Sequence, residues 1–383
     1  MDKRRILFVV DSLGCGGAER SLLSLLSRLD YDKTDVSLLV MSRGGVFERF
    51  LPPKVQIITH QSPKGIRSAI FKVCRNIFSI KLRILRALSV KRHGAETYWS
   101  VMRAVYPHLP GSYDVAVAYH QGFPTYYVDE KVRSAHKVAW INTEMRKAGY
   151  RKSYNTIYYN RYDKIIAVSD TLKAQLIADE YVPSHKISTF YDILDADLIR
   201  SMSCENIDTR FGCDSGDMLL LATVGRMVGV KNYPLAVASA CVLKSRGVRF
   251  RWVMVGDGSD RGNVESLISL FGLGEEIILT GMLPNPYPYI ARCQIYVNTS
   301  KFEGFGLTLA EAKVLNKPIV TTDFPTAREQ IRHLHNGMIV TADAECIADA
   351  IMQLYSDKKL YGAMTDSLIS DRNKTNNSAL PFM

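Results

Sequence analysis

The chain has 383 residues, of which 47% are hydrophobic, and a formal net charge of +11 at pH 7. This length predicts two domains rather than one core, and the composition is that of a globular protein rather than a disordered one. No uncharged apolar run reaches the roughly 18 residues of a membrane-spanning helix. The seven cysteines show neither a C-x-x-C pair nor zinc-ligand spacing to a histidine, so we expect free thiols.

The first half of the chain alternates apolar strands with helical segments. Its opening apolar run stops at Asp11, is shorter than the roughly 7–15 residues of a signal-peptide core, and is expected to be a buried strand. Further short runs rich in β-branched residues follow, namely DVSLLVM, VAVAYH, KVAWIN and KIIAVS. This alternation predicts a parallel sheet with helices on both faces.

A glycine-rich loop, LGCGGAE, follows the first strand. Gly16 and Gly17 would let a diphosphate approach the backbone at the N-terminus of a helix. Glu19 stands where a dinucleotide fingerprint has its third glycine, and the second strand ends in Met41-Ser42-Arg43 without an acidic residue. A classical dinucleotide site is therefore not expected. By itself, the loop is equally compatible with an ordinary tight turn.

The interval between Glu48 and Glu96 contains no acidic residue and eleven basic ones. Within it, residues 64–92 place aliphatic side chains at helical spacing on one face. That face comprises Ile66, Ile70, Val73, Ile77, Ile80, Ile84 and Leu88, and is widened by Phe71, Phe78, Leu82 and Leu85. Candidate cations for an anionic acceptor or membrane are Arg67, Lys72, Arg75, Arg83 and Arg86, the last four on the opposite side of the helix.

Three interpretations of this basic amphipathic helix stay open. It could lie on an anionic bilayer, or its apolar face could pack on the domain core with the cations in solvent. Nucleic-acid binding is disfavoured, because the cations alternate mainly with aliphatic residues and no known nucleic-acid-binding motif occurs. We expect no nucleic-acid partner.

The alternation of strands and helices stops between Asp192 and Asp217 and then restarts. The sequence thus predicts two doubly wound α/β domains facing each other across a cleft, with ligands beyond the carboxyl ends of the strands. We expect domains over residues 1–195 and 196–360, and a tail over 361–383 that could pack back on the first domain. The Asp195-Ala-Asp197 triplet lies in the linker and is not expected to bind a metal.

Two loops of the second half combine glycines with charged residues. The turn after LLLATV holds Gly225, Arg226 and Lys231, which could grip a diphosphate and stabilise charge on it as it departs. On this stretch alone, solvated surface cations are the alternative. A second glycine turn follows the next strand at Gly256 and is unspecific.

The stretch KFEGFGLTLAE sets Glu303 in a loop and Glu311 on the helix that follows. Carboxylates accept hydrogen bonds from sugar hydroxyls. Together with the cations of the preceding turn, these residues favour a ligand with phosphate at its centre and hydroxyl-rich rings at both ends, which is a nucleotide sugar. The alternative is an acidic helix cap with an incidental glutamate.

These motifs resemble those of glycosyltransferase family 4. The E-x7-E pair, the GR…K turn, the GGAE loop and the NPYPYI segment over residues 285–290 occur in the family's order, and the resemblance extends over the whole chain. It implies a GT-B fold of two Rossmann-like domains. It also implies a retaining, metal-independent hexosyltransferase that uses no cofactor beyond its nucleoside diphosphate sugar, with UDP favoured.

The resemblance also implies roles for individual residues. Glu311 would hold the nucleotide ribose and Glu303 the donor sugar, while Arg226 and Lys231 would take the diphosphate together with backbone groups of the first loop. The full expected donor set is Gly16, Gly17, Gly225, Arg226, Lys231, Gly256, Met282, Glu303, Gly304, Phe305, Gly306, Leu307 and Glu311. We expect Glu303, Arg226, Lys231 and His120 to take part in catalysis.

His120 ends the strand VAVAYH, a place where the family often carries a histidine near donor and acceptor. A structural imidazole is the alternative. The strand KVAWIN ends in Asn142, where related sequences often have histidine. If that histidine matters in relatives, His120 or Glu144 becomes the better candidate here.

The predicted function is transfer of a hexose or N-acetylhexosamine to a glycan or polyprenyl-linked acceptor in capsule, O-antigen or other surface polysaccharide synthesis. The predicted location is the inner face of the plasma membrane, with peripheral attachment from the cytoplasm. The alternatives are a nucleotide-sugar epimerase of the same fold and a non-catalytic protein that binds a nucleotide sugar or a membrane.

Overall fold

The computed structural model describes residues 3–14, 16–59, 66–88, 92–207, 211, 218–371 and 380–382, except for the side chains of residues 66–68 and 86. The chain divides into two compact units. The first comprises Met1–Ile193 with Ala379–Met383, and the second comprises Leu194–Ser378. Each unit is built on its own parallel sheet.

The sheet of the first unit has seven strands in the order β3-β2-β1-β4-β5-β6-β7. These strands are β1 (Arg4–Ser12), β2 (Thr34–Ser42), β3 (Gln56–Thr59), β4 (Tyr113–Ala118), β5 (Ser134–Ile141), β6 (Lys164–Ala167) and β7 (Ile187–Thr189). Its helices are α1 (Gly17–Ser27), α2 (Ile66–Ala87), α3 (Gly94–Met102), α4 (Phe123–Lys131), α5 (Lys152–Tyr159) and α6 (Asp170–Ala178), with a 3₁₀ turn over Glu48–Phe50.

The central strand β1 shows why the apolar runs are continuous rather than alternating. Residues 6–10 are all buried, because helices cover both faces of a parallel sheet. Strand β1 pairs with β2 on one side and with β4 on the other, in parallel register. The chain order of the strands reverses between β1 and β4, and loops beyond the carboxyl ends at such a point are where open α/β sheets bind ligands.

The second unit repeats this plan with six parallel strands in the order β10-β9-β8-β11-β12-β13. The strands are β8 (Leu219–Val224), β9 (Phe250–Val255), β10 (Ile277–Gly281), β11 (Ile295–Asn298), β12 (Ile319–Thr322) and β13 (Met338–Val340). The helices are α7 (Ala196–Ser203), α8 (Tyr233–Ser245), α9 (Arg261–Leu270), α10 (Tyr287–Arg292), α11 (Leu307–Val314), α12 (Ala327–Gln330), α13 (Ala344–Ser356) and α14 (Lys358–Asp371). Here the order reverses between β8 and β11.

The end of the chain contributes to both units. Residues 361–371, which the sequence assigned to a tail, belong to helix α14, and Met364 and Leu368 are buried in the core of the second unit. Phe382 is buried in the first unit with its ring edge-on to Phe8, and the Lys164 ammonium donates to the carbonyl of Pro381 at 2.9 Å. The predicted polar tail between them, residues 372–379, lies outside the described residues.

The two aspartates of the Asp195-Ala-Asp197 triplet make contacts within helix α7. Asp195 caps α7, because its carboxylate accepts from the Leu198 N–H at 2.9 Å. Asp197 pairs with Arg200 on the surface of the same helix. None of the helices in the described part of the chain has the length and apolarity needed to cross a bilayer.

Candidate functional site

The switch point of the second sheet brings the charged loops predicted from the sequence to one edge. Strand β8 ends at Val224 and leads directly into Gly225 and Arg226, while the neighbouring strand β11 ends at Asn298 and leads into the loop that holds Glu303. Since both strands run parallel, their carboxyl ends lie side by side. Residues that are distant in the chain therefore face one another here.

Lys231 and Glu303 form a close ion pair at this edge. The Lys231 Nζ lies 2.5 Å from Glu303 Oε1, and the Ser300 hydroxyl donates to the same carboxylate oxygen at 2.7 Å. The side chains of Lys231 and Glu303 are 19% and 11% exposed. The Lys231 ammonium and the Glu303 carboxylate thus lie in contact, and both remain partly exposed to solvent. Each can therefore also bind a ligand. Ser300 was not predicted as a site residue.

The loop that carries Glu303 is fastened to the helical segment α12. The Thr326 hydroxyl donates to the Glu303 carbonyl at 3.0 Å, and the Gln330 amide donates to the carbonyls of Phe305 and Gly306 at 2.5 and 3.1 Å. Gly306 adopts a left-handed conformation with φ of 86°, which glycine tolerates best. These contacts hold the Glu303 backbone, with Gly304 and Phe305 partly exposed and Leu307 buried as α11 begins.

Glu311 lies in the second turn of α11 and is fully buried. The Tyr287 hydroxyl donates to its Oε1 at 3.1 Å. Tyr287 is the first residue of α10 and belongs to the NPYPYI segment, to which the sequence assigned no chemical role. The structure thereby connects this segment to the E-x7-E pair.

The glycines of the two neighbouring turns allow a close backbone approach. The Gly225 N–H donates to the Val255 carbonyl at 2.9 Å. A Cβ at Gly256 would lie 1.8 Å from the Gly225 carbonyl oxygen, so only glycine fits there without movement. The Lys231 stem runs past Gly225, with Cε 3.5 Å from the position of a Cβ on that glycine.

Two predicted donor residues are exposed at this edge of the second unit. Arg226 is exposed and forms no ion pair with any of the residues that the structure describes. Met282 directly follows β10 and is 53% exposed. Both side chains are therefore accessible to a ligand without rearrangement of the core.

The switch point of the first sheet carries a second polar cluster. His120 follows β4 and Asp11 lies near the end of β1, with His120 Nδ1 3.8 Å from Asp11 Oδ2. Desolvation raises the pKa of the Asp11 carboxyl to about 6. The sequence analysis used Asp11 only as the end of an apolar run. The feature that marks Asp11 is its place at the end of β1, which pairs with β4, the strand before His120. This pairing cannot be known without the strand order.

Gln121 joins the end of β4 to the end of β5. Its side-chain oxygen accepts from the Asn142 N–H at 3.0 Å, while both polar atoms of the Asn142 side chain are enclosed without a hydrogen-bond partner in the described part of the protein. Glu144, the other candidate raised by the sequence, is buried, and its carboxylate lies 2.8 Å from Lys147 Nζ. Glu144 is thus paired with Lys147, three residues further along the chain.

The glycine-rich loop ends at the N-terminus of α1. Gly17 is the first residue of that helix and Gly16 its extended N-cap. A Cβ on Gly16 would lie 2.0 Å from a Glu19 carboxylate oxygen, so the glycine leaves room for this acid to fold over the helix N-terminus, whose dipole favours it. Cys15, which precedes Gly16 in this loop, lies outside the described residues.

Helix α2 has two apolar stripes rather than the single wide one that the sequence predicted. One stripe packs on the helical layer of the first unit: Phe71 lies edge-on to Tyr106 and Phe78 to Tyr98, at ring distances of 6.0 and 5.3 Å. The other stripe is an aliphatic ridge that is 46–67% exposed, namely Ile70, Val73, Ile77, Ile80, Ile84 and Leu88. The core-packing interpretation therefore holds for the aromatic stripe and fails for the ridge.

The cations of α2 lie on the other shoulder of its exposed surface. Lys72, Arg75 and Arg83 are exposed; the side chains of Arg67 and Arg86 lie outside the described residues. At about 100° per residue, the ridge and the cations each lie roughly 110° from the packed aromatic stripe, in opposite directions. The surface of α2 that points away from the protein is thus apolar along one side and cationic along the other.

Comparison with known proteins places this fold and these motifs in one family. Residues 15–198 match the family model described as Glycosyltransferase Family 4, and residues 214–368 match the model described as Glycosyl transferases group 1. The chain belongs to glycosyltransferase family 4 and is a glycosyltransferase.

The sequence is similar to that of a named transferase along almost its whole length. It is 26% identical over 355 residues to the Campylobacter jejuni N-acetylgalactosamine-N,N'-diacetylbacillosaminyl-diphospho-undecaprenol 4-alpha-N-acetylgalactosaminyltransferase, covering 92% of this chain and 90% of the relative.

Solved structures of glycosyltransferases share the fold. The Anabaena protein Alr3699/HepE in complex with UDP-glucose has a TM-score of 0.71 at 17% identity, covering 97% of this chain and 94% of that one. WaaG, described as a glycosyltransferase involved in lipopolysaccharide biosynthesis, has a TM-score of 0.62 at 13% identity, covering 97% and 96%. The two Rossmann-like parallel-sheet domains define the GT-B class, as the sequence predicted.

Proposed function

We propose that this glycosyltransferase moves a hexose or N-acetylhexosamine from a nucleoside diphosphate sugar to a glycan or polyprenyl-linked acceptor in surface polysaccharide synthesis. The observation that carries the proposal is the Lys231–Glu303–Ser300 cluster at the switch point of the second sheet. It sets a phosphate-binding cation beside a hydroxyl-binding acid. The UDP-glucose in the HepE structure and the diphospho-undecaprenol in the name of the Campylobacter relative support this choice of donor and acceptor.

Each charged residue of the cluster has a separate role in this proposal. The exposed Arg226 guanidinium and the Lys231 ammonium hold the diphosphate, and Glu303 accepts hydrogen bonds from hydroxyls of the donor sugar. Lys231 and Glu303 form an ion pair in the structure. When the diphosphate arrives it provides Lys231 with a second anion, and the Glu303 carboxylate becomes available to the sugar.

The proposed reaction proceeds with retention and needs no metal ion. The bond between the sugar C1 and the phosphate oxygen breaks, and the acceptor oxygen forms its bond to C1 on the same face. The proton of the acceptor hydroxyl passes to the departing phosphate oxygen, so no side chain has to serve as base. Arg226 and Lys231 supply the positive charge that stabilises the leaving diphosphate. His120 is assigned a role near the reacting sugar and the acceptor.

The donor and the reaction class are tested together. A thermal-shift screen against UDP, GDP and ADP should show stabilisation by one of them, with UDP favoured. Release of that nucleotide from its sugar should then depend on an added acceptor glycan or polyprenyl-linked saccharide. A nucleotide-sugar epimerase would turn over without acceptor, and a non-catalytic binding protein would bind the nucleotide without releasing sugar from it.

Replacement of Lys231 by alanine tests the role of the cluster. We expect kcat for glycosyl transfer to fall by about 10²–10³-fold, the usual cost of removing one preorganised group that stabilises transition-state charge. Lys244→Ala is the matched control, because Lys244 pairs with Glu276 on the surface of the same unit, with 2.8 Å between the charged atoms. Equal kcat values in Lys231→Ala and Lys244→Ala would contradict the assignment.

We further propose that α2 attaches the protein peripherally to the cytoplasmic leaflet of the inner membrane. Six half-exposed aliphatic side chains form its ridge, and each would gain about 1 kcal/mol on leaving water. The three described cations add about 1 kcal/mol each near an anionic surface. The apolar contribution is therefore the larger one, and the cations provide the preference for anionic lipid.

Flotation with vesicles tests this attachment. We expect recovery with neutral phosphatidylcholine vesicles and stronger recovery when phosphatidylglycerol is included, with the difference declining as salt is added. Equal recovery with both vesicle types would contradict the role of the cations. Absence of binding to either would contradict membrane attachment through α2.

A further inference from the structure

The buried carboxyl group of Glu311 is contacted by a tyrosine from a separate helix. Glu311 is 0% exposed and Tyr287 is 6% exposed, and the tyrosine hydroxyl lies 3.1 Å from Glu311 Oε1. The two residues belong to α10 and α11, which are separated in the chain by strand β11. Burying a charged group costs free energy unless the group is hydrogen-bonded. The contact with Tyr287 therefore helps to fix the position of the Glu311 carboxyl group.

Tyr287 is itself held at both ends. Its N–H donates to the Asn285 side-chain oxygen at 3.1 Å, and the Asn285 amide donates in turn to the Met202 carbonyl of α7 at 2.8 Å. Tyr287 also belongs to a buried hydrophobic cluster of this unit, which includes Ile290 and Leu309. A side chain fixed at its backbone, ring and hydroxyl has little freedom, and it can therefore fix the group that it contacts.

We infer that Tyr287 is a positioning residue of the donor site, which sets the Glu311 carboxyl group for the hydroxyls of the nucleotide ribose. The inference rests on the proposed function and on the role that the family resemblance implies for Glu311, which is to hold the nucleotide ribose. It gives the NPYPYI segment a chemical role, because α10 supplies the hydroxyl that donates to the Glu311 carboxylate. Tyr287 does not touch the ligand in this arrangement and acts only through Glu311.

The consequence is that Tyr287, which does not contact the ligand, strengthens the preference for a nucleotide with ribose hydroxyls over one without them. Hydrogen bonds to a charged group are worth enough to make UDP bind about 10–100-fold more tightly than 2′,3′-dideoxy-UDP. Without the Tyr287 hydroxyl, the carboxyl group loses one of its fixed partners and this preference should fall by about fivefold or more. Affinity for the dideoxy nucleotide should stay the same, because that ligand has no hydroxyls for Glu311.

Titration calorimetry of the whole chain with the two nucleotides tests the inference. In Tyr287→Phe we expect weaker binding of UDP and unchanged binding of 2′,3′-dideoxy-UDP. Tyr289→Phe is the matched control, since it removes a hydroxyl from the same helix and from a similarly buried tyrosine; it should change neither. In a Glu311→Gln background, Tyr287→Phe should have no further effect on the ratio of the two affinities.

Several outcomes would overturn the inference. Equal weakening of both nucleotides in Tyr287→Phe would assign Tyr287 a purely structural role, and an unchanged UDP affinity would assign it none. If Tyr287→Phe does not fold, Asn285→Ala loosens the tyrosine without touching Glu311, and an unchanged ratio in that variant overturns the inference as well. Failure of the wild-type protein to bind UDP, GDP or ADP would instead contradict the proposed function.

Discussion

Among the described glycines of the second unit, Gly256 leaves the least room for an added methyl group. A Cβ there would lie 1.8 Å from the Gly225 carbonyl oxygen, which is a backbone atom and cannot swing aside as a side chain could. The two turns that these glycines form belong to adjacent strands, β8 and β9. Their separation sets the position of the Arg226 and Lys231 turn.

We expect Gly256→Ala to destabilise the protein by about 1–3 kcal/mol, the typical range for overpacking. Gly262→Ala is the control, because nothing lies within 4 Å of a Cβ at this position in α9; it should be neutral or stabilise by roughly 0.5–1 kcal/mol. Urea unfolding of both variants measures the difference. Equal midpoints would show that the two turns can separate freely.

Asp192 is a titrating group near the end of the first unit. It accepts a hydrogen bond from the Ser21 hydroxyl at 2.6 Å, and that hydroxyl lies 2.9 Å from the Tyr119 hydroxyl. Desolvation raises the pKa of the Asp192 carboxyl to about 7, whereas an aspartate in an unfolded chain has a pKa of about 3.9. Between these values the folded protein retains a proton that the unfolded chain has released. The free energy of unfolding therefore falls as the pH rises through this window.

Asp192→Asn should remove this pH-dependent loss. At pH 8 we expect the variant to be more stable than the wild type by on the order of 2 kcal/mol, since each unit of pKa shift corresponds to about 1.4 kcal/mol and Asp192 retains some exposure. Near pH 4 the two proteins should be about equally stable. Urea midpoints at the two pH values test this, and a difference of the same size at both would contradict the titration of Asp192.

At the scale of elements, α2 packs on the domain with one stripe of side chains and exposes another to solvent. Its aromatic stripe packs on Tyr98 and Tyr106, and this contact holds the helix to the domain. The aliphatic ridge then points outward by helical geometry alone, because it is rotated away from the packed stripe. Exposed apolar ridges of this extent mark interaction surfaces in proteins.

Aspartates at two positions of the ridge should abolish membrane attachment. In the double variant Ile77→Asp, Ile80→Asp, we expect recovery with anionic vesicles to fall by at least about tenfold, because two apolar contacts are lost and two like charges meet the lipid. The melting temperature should barely change, since both side chains are about half exposed. Leu270→Asp, at an exposed position of α9, is the control. Undiminished flotation of the double variant would show that another surface binds lipid.

At the scale of the whole molecule, the switch point of the second sheet and helix α2 predict separate footprints for separate ligands. UDP should slow backbone hydrogen exchange at residues 225–232 and 301–311 of the second unit, and anionic vesicles should slow it at residues 70–88 of the first. Ligand binding protects the segments whose opening it opposes. Protection of 70–88 by UDP without protection of 225–232 would place the nucleotide at a different site from the one proposed.

The sequence by itself determined the features that depend on neighbours along the chain. Apolar runs such as residues 6–10 predicted the parallel strands, and two rounds of alternation between strands and helices predicted two sheets. The E-x7-E spacing placed Glu303 before a helix and Glu311 within it, as found. These features follow from the periods of strands and helices, which a local pattern records.

Only the tertiary structure decided which distant residues meet. Lys231 and Glu303 are 72 residues apart, and Tyr287 and Glu311 are 24 residues apart; their contacts depend on the order of strands in the sheet. The same holds for Asp11 beside His120, and for the covered and uncovered stripes of α2. A local pattern shows that a side chain is apolar or charged, but the neighbour that covers it is set by the packing of elements far apart in sequence.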